Sequence, residues 1–183
     1  MLTGHLRVLL STLSLGLLFP SCALLTNHRP NINKQIIQSE ISQLGAHNWI
    51  IIAEAAYPIP SEAQSKVIYL DASIIEVTQL VLESIDQHGH ITPRIQISRE
   101  SEIVSEKIDP TIASFKQQIN ETLLTRNYQE LPQELIDLSI LESQKKYRHL
   151  ILKTNSTYPY CSLFLELESG YWDGQSESIL RTP

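Results

Sequence analysis

His47 and Glu54 are two side chains whose types and spacing could move protons. They flank the core of a single stretch, Leu44-Gly45-Ala46-His47-Asn48-Trp49-Ile50-Ile51-Ile52-Ala53-Glu54-Ala55-Ala56-Tyr57-Pro58-Ile59-Pro60. An imidazole and a carboxylate can each give or take a proton near neutral pH, which is what general acid–base chemistry requires. Trp49 to Ile52 is too short and too β-branched for a helix between such breakers, and it reads as an interior strand of an α/β sheet. Glu54 then falls near the carboxyl end of that strand, where open α/β sheets bind ligands. Pro58 and Pro60 impose an extended exit and stiffen the loop that would close over such a site. The alternative is a surface His in one turn and a Glu in another.

Other chemistry finds little support in the sequence. His88-Gly89-His90 could be half of a metal site, but no cluster of Cys, His or carboxylates stands nearby at ligand spacing, and a solvated turn is the simpler reading, so no metal is expected. The two cysteines, Cys22 and Cys161, allow at most one disulfide and imply no framework. There is no GxGxxG, Walker, GxSxG or HExxH sequence, so nucleotide cofactors, serine hydrolysis and zinc proteolysis are unsupported.

The net charge of −6 argues against a chain that wraps nucleic acid or lies on anionic lipid by charge. With 183 residues, 42% of them hydrophobic, the chain can hold one globular domain plus an extension. Residues 1–22 read as a signal peptide, with a short basic start and an apolar run from Val8 to Phe19 that is too short to span a membrane comfortably. Phe19-Pro20-Ser21-Cys22 resembles a bacterial lipobox, which would make Cys22 the acylated N-terminus of an exported lipoprotein held at the membrane by its lipid alone. Ordinary cleavage after Ala23, giving a secreted protein, is the alternative. Residues 23–32 read as a tether, 33–172 as the domain and 173–183 as a loose polar tail.

Within the domain, Asn33 caps a helix whose Ile37, Ile41 and Leu44 share one face, with Gly45 expected in the left-handed position at its end. A second strand is expected over Lys66–Leu70. Ser73 and Glu76 form a capping box for a helix striped by Ile74, Val77, Val81 and Ile85. Ile91, Ile95 and Ile97 mark a half-buried strand, and Asp109-Pro110 reads as the N-cap and first residue of a helix with Ile112, Phe115, Ile119 and Leu123 inward. Another helix over Gln133 to Lys146 is expected to turn Leu135, Leu138 and Leu141 inward. Strands from His149 to Lys153 and Cys161 to Glu168 close the order, joined by a polar loop that includes Asn155-Ser156-Thr157. This is an α/β domain with a central β-sheet flanked by helices.

Ile41-Ser42-Gln43-Leu44-Gly45, the Ile-rich strand ending in Ala53-Glu54-Ala55, Tyr57-Pro58-Ile59-Pro60 and the late Tyr158-Pro159-Tyr160-Cys161-Ser162 together resemble the ribose pyranase and fucose mutarotase (RbsD/FucU) family. The resemblance runs in order from about Asn33 to Trp172. It implies a single RbsD-like domain, a monosaccharide partner, a homo-oligomeric ring with sites at subunit contacts, and no cofactor. In that family a His after the Leu-Gly donates a proton, an Asp at the strand end binds sugar, and so does a late Tyr-x-Asn. Carried over, the Asp position is Glu54, one methylene longer; the Tyr is Tyr160; and the Asn position is Ser162, which keeps a hydroxyl but loses the amide fork. The His position itself is Ala46, with His47 one residue later. Gln133 is the nearest counterpart of a further His or Arg that members use.

The resemblance therefore implies a sugar mutarotase or pyranase. His47 would shuttle the proton and Glu54 would orient the sugar, with Tyr160, Ser162 and Gln133 as sugar contacts and Tyr57 or Trp49 as an apolar platform. Trp49, which opens a buried strand, is better explained as core. A sugar-binding lipoprotein without turnover is the other reading, and whether His47 and Glu54 share a pocket distinguishes the two.

Overall fold

The structure, a computed structural model, describes residues 33–59 and 65–182. The expected signal peptide, lipobox Cys22 and tether lie outside these residues, as does Pro60.

The central strand β1 (Trp49–Ala53) is buried at every position because helices cover both of its faces. It lies between β5 (His149–Lys153), which runs parallel, and β6 (Leu163–Ser169), which runs antiparallel. With β2 (Ser65–Tyr69), β3 (Ile91–Ser98) and β4 (Tyr128–Leu131) they form one mixed six-stranded sheet of order β2-β5-β1-β6-β3-β4.

Alternation along β1 divides the core in two. Ile50 and Ile52 join Leu150, Leu152, Leu163 and Leu165 under α1 (Lys34–Ile41), α2 (Ile74–His88) and α4 (Ile112–Leu123). Trp49, Ile51 and Ala53 join Ile151 and Phe164 on the opposite face, under Ile136 and Ile140 of α5 (Gln133–Ser143). Trp49 is thus core, at 2% exposure. The expected helix stripes on α1, α2 and α4 are all buried. The Asn33 side chain accepts the Ile36 N–H, and the Ser73–Glu76 capping box is complete.

Five expectations need correction. Gly45 is not left-handed; that conformation belongs to His47, at φ 68°. Asp109 and Pro110 precede α4 rather than open it: the Asp109 carboxylate accepts from both the N–H and the hydroxyl of Thr111, and helix begins only at Ile112. Two elements were not anticipated, the single turn α3 (Glu100–Ile103) and the edge strand β4, whose outermost position leaves Tyr128, Gln129 and Glu130 exposed and its sequence without alternation. On α5 the leucines face outward: Leu135, Leu138 and Leu141 are each more than half exposed, while Ile136 and Ile140 fill the core. That helix carries apolar residues on two sides, and the sheet takes the pair spaced one full turn apart. Finally, the polar tail contains a helix, α6 (Gly174–Arg181), capped by the Asp173 side chain and burying none of its residues.

Candidate functional site

Glu54 follows directly on β1. Its carboxylate accepts the Cys161 N–H at 3.2 Å, and its own N–H donates to Ser162 Oγ at 3.1 Å. These bonds tie the end of β1 to the loop between β5 and β6. Tyr160, immediately before the two bonded residues, has φ 58°. A left-handed tyrosine is costly by about 1 kcal/mol or more and persists only where surrounding contacts fix it. The loop is fixed further from behind: Ser156 accepts the Ala55 N–H through its carbonyl and the Ile74 N–H through its hydroxyl, and Thr154 bonds back to the Ala53 carbonyl. Tyr158 stacks on Phe115 with ring centroids 4.7 Å apart.

Glu54, Tyr57, Gln133, Asp137, Tyr160 and Ser162 line a cavity of about 350 Å³, with Phe164 as an apolar wall. Its size and mixed lining suit a small polar ligand. Burial, and then the charge of Asp137, raise the Tyr57 phenol above the usual tyrosine range, so that it remains a hydrogen-bond donor. Burial and the neighbouring Glu54 likewise push the Cys161 thiol up, which makes it an inert core residue. The four residues expected to contact sugar, Glu54, Tyr160, Ser162 and Gln133, are brought together here.

His47 is not among them. It lies before β1, in a turn fastened to β6 by its N–H to the Leu167 carbonyl at 2.7 Å and by the Leu167 N–H to the Asn48 carbonyl at 2.9 Å. These bonds hold the turn in place. The imidazole lies 5.2 Å from the Tyr147 ring between centroids and lines a separate open cleft of about 330 Å³ with Arg94, Ser143, Lys146 and Tyr147. Glu54 and His47 stand at opposite ends of β1, on the order of 20 Å apart at a strand's rise per residue. Within one chain they do not share a pocket.

Helix α5 runs between the two sites. Gln133 and Asp137 near its start face the Glu54 cavity, and Ser139, Glu142 and Ser143 near its end face the His47 cleft. Behind that cleft His149, 1% exposed, shares a 2.8 Å hydrogen bond with Ser143 Oγ through Nε2, while its Nδ1 is buried without a partner. Asp137 was missed in the sequence. The available signal was its spacing of four from Gln133, which puts both on one helix face. Of the His88 and His90 pair, His90 is engaged by the Leu44 carbonyl at 2.9 Å. Among the described residues no group of three or more His, Cys, Asp or Glu is placed to hold a metal ion.

No protein-family model matches the sequence, and no curated protein matches it significantly. Among solved structures, Bacillus subtilis RbsD complexed with D-ribose superposes with a TM-score of 0.51 at 16% identity, covering 78% of this chain and 96% of that one. The chain has an RbsD-like fold. The fucose mutarotase of Streptococcus pneumoniae in complex with L-fucose aligns with a TM-score of 0.42 at 21% identity, covering 70% of this chain and 87% of that one.

Proposed function

We propose that this protein binds a monosaccharide in the Glu54 cavity and speeds interconversion of its anomers or ring forms by acid–base ring opening. The observation that carries this reading is the cavity itself. A fixed carboxylate, two phenols, a hydroxyl and an amide converge beside an aromatic wall at the carboxyl end of the central strand, on the fold of a protein whose structure holds D-ribose. Sugars are recognised by such a combination of hydrogen-bonding groups around an apolar face.

The reading requires His47 to reach the sugar from a neighbouring protomer, in a ring whose contacts close the His47 cleft of one chain over the Glu54 cavity of the next. The stripe of Leu135, Leu138 and Leu141, each more than half exposed on the helix that connects the two sites, supports such a contact. Purified protein at micromolar concentration is expected to sediment as an oligomer, and Leu138→Glu to shift it toward monomer. A wild-type monomer across that range would remove the interface-built site.

A sugar-binding protein without turnover is the second reading. The observation that favours it is the distance of His47 from Glu54 within the chain, together with Ala46 at the place where the resemblance implies a His. Saturation-transfer NMR of anomer exchange separates the two, with ribose, fucose, galactose and glucose as probes. Acceleration of any one of them over buffer supports the enzyme. Binding without acceleration transfers the assignment to the second reading, and neither binding nor exchange defeats both. The proposal extends to address: export and acylation at Cys22 predict that wild-type protein partitions with membranes while Cys22→Ala does not, and recovery of both in the soluble fraction would refute the anchor.

A further inference from the structure

We infer that Asp137 is a proton-transfer group of the Glu54 cavity, reaching the sugar from α5 while Glu54 holds it from the end of β1. This rests on the sugar-isomerising reading above and adds a residue that the sequence pattern and the resemblance do not single out.

The chemistry asks for two transfers. A hemiacetal ring opens when a base takes the proton of the anomeric hydroxyl, the bond from the anomeric carbon to the ring oxygen breaks with its electron pair passing to that oxygen, and an acid delivers a proton there. The product is the open-chain carbonyl compound with one new hydroxyl. Rotation next to the carbonyl, followed by both transfers in reverse, closes the ring on the other face. Nothing is oxidised or reduced, and each protein group ends in the state in which it began.

The two carboxylates of the cavity are not equivalent. Glu54 is anchored: one carboxylate oxygen takes the Cys161 N–H, and its backbone N–H is tied to Ser162. Such a group, fixed by two bonds to the same loop, positions hydroxyls well. Asp137 is held by one contact, the Gln133 amide at 2.8 Å to Oδ1, and its Oδ2 has no hydrogen-bond partner among the described residues. Its side chain is exposed at the cavity mouth, where it can meet an incoming sugar. Gln133 is aligned from behind, its N–H donating to the Glu100 carboxylate at 3.0 Å. The charge of Asp137 is already felt inside the cavity, where it helps keep the Tyr57 phenol protonated. His47 of a neighbouring protomer would then serve one sugar oxygen and Asp137 the other.

The titratable groups around Asp137 are Glu54, Tyr57 and Tyr160 across the cavity, Glu134 on its own helix, Glu100 behind Gln133, and Lys153, whose ammonium donates to the Tyr57 carbonyl at 2.9 Å.

The test compares wild type, Asp137→Asn and Asp137→Glu in anomer exchange and in binding, with D-ribose, fucose, galactose and glucose as probes, across a range of pH. Asp137→Asn is expected to bind within a few-fold of wild type and to lose on the order of 100-fold in exchange of bound sugar. The acid limb of the pH profile should disappear with it, and Asp137→Glu should restore part of the rate. Exchange by Asp137→Asn within twofold of wild type overturns the assignment while leaving the sugar reading intact. So does a variant that loses binding but exchanges each bound sugar as fast as wild type, because Asp137 is then a contact only. If wild type neither binds nor exchanges any probe, the sugar reading fails and this assignment fails with it.

Discussion

His47→Gly is expected to leave the fold as stable as wild type or more so, by up to about 1 kcal/mol, while reducing sugar exchange on the order of 100-fold. His47 has φ 68°, a conformation that a side chain penalises and glycine adopts freely. The hydrogen bond that fixes the turn, from the His47 N–H to the Leu167 carbonyl, survives any substitution except proline. What glycine forfeits is an exposed ring contact with Tyr147 and some entropy of the unfolded chain. His47→Ala keeps the backbone strain and loses the same ring, so it should be less stable than His47→Gly by about 1 kcal/mol. Thermal melting and saturation-transfer exchange on the three proteins give both readouts. A histidine kept for structure would show the opposite pattern, with glycine destabilised and exchange intact.

Acid should weaken the protein through His149. The ring is 1% exposed, and burial pushes it down from 6.5 to about 4. Between those values the unfolded chain takes up a proton that the folded chain refuses, so stability falls as pH drops below about 6.5 and the loss is complete near 4. Its size is about 3 kcal/mol. His149→Leu removes this titration and also the unpartnered buried Nδ1, which itself costs about 1–3 kcal/mol, while Ser143 Oγ still donates to the Ile140 carbonyl at 2.9 Å. Glu100, Asp109, Asp173 and Glu177 are all held below their ordinary values by hydrogen bonds, so their contribution begins to be lost only as pH falls below those ordinary values, at the acid end of the histidine's window and beyond it. Urea unfolding at pH 7, 6, 5 and 4.5 should show a steep decline for wild type and a shallow one for His149→Leu. Equal slopes would remove His149 from the account.

The local code for this fold is strong where one face is buried and weak where none is. Trp49–Ala53 and Leu150–Leu152 carry uninterrupted apolar runs, and Ser73 with Glu76 an explicit cap, so these elements were readable residue by residue. Strand β4 has no such pattern because an edge strand has a neighbour on one side only and its side chains meet solvent. On α5 two apolar spacings compete, and only the sheet beneath decides that Ile136 and Ile140 go inward. The Glu54 cavity was partly legible, since the resemblance names Glu54, Tyr160, Ser162 and Gln133. Asp137 was not, because its relevance depends on how α5 crosses the sheet. The left-handed backbone at His47 and Tyr160 was also hidden, as neither is a glycine.

The place of β1 in the sheet governs when the chain can fold. Both of its partners, β5 and β6, come from the last third of the sequence, with registers pairing Trp49 to His149 and to Glu166. During synthesis Trp49–Ala53 therefore has no strand to pair with until about a hundred further residues have been made. Closing contacts of such long sequence separation is slow, and an unpaired apolar strand in the meantime is prone to self-association. A ribosome-bound chain ending before Leu163 should remain protease-sensitive and a client for holding chaperones, and the native sheet can assemble only once β6 has emerged. Any cellular process that needs this protein unfolded, whether transport or degradation, has nearly the whole time of its translation in which to act.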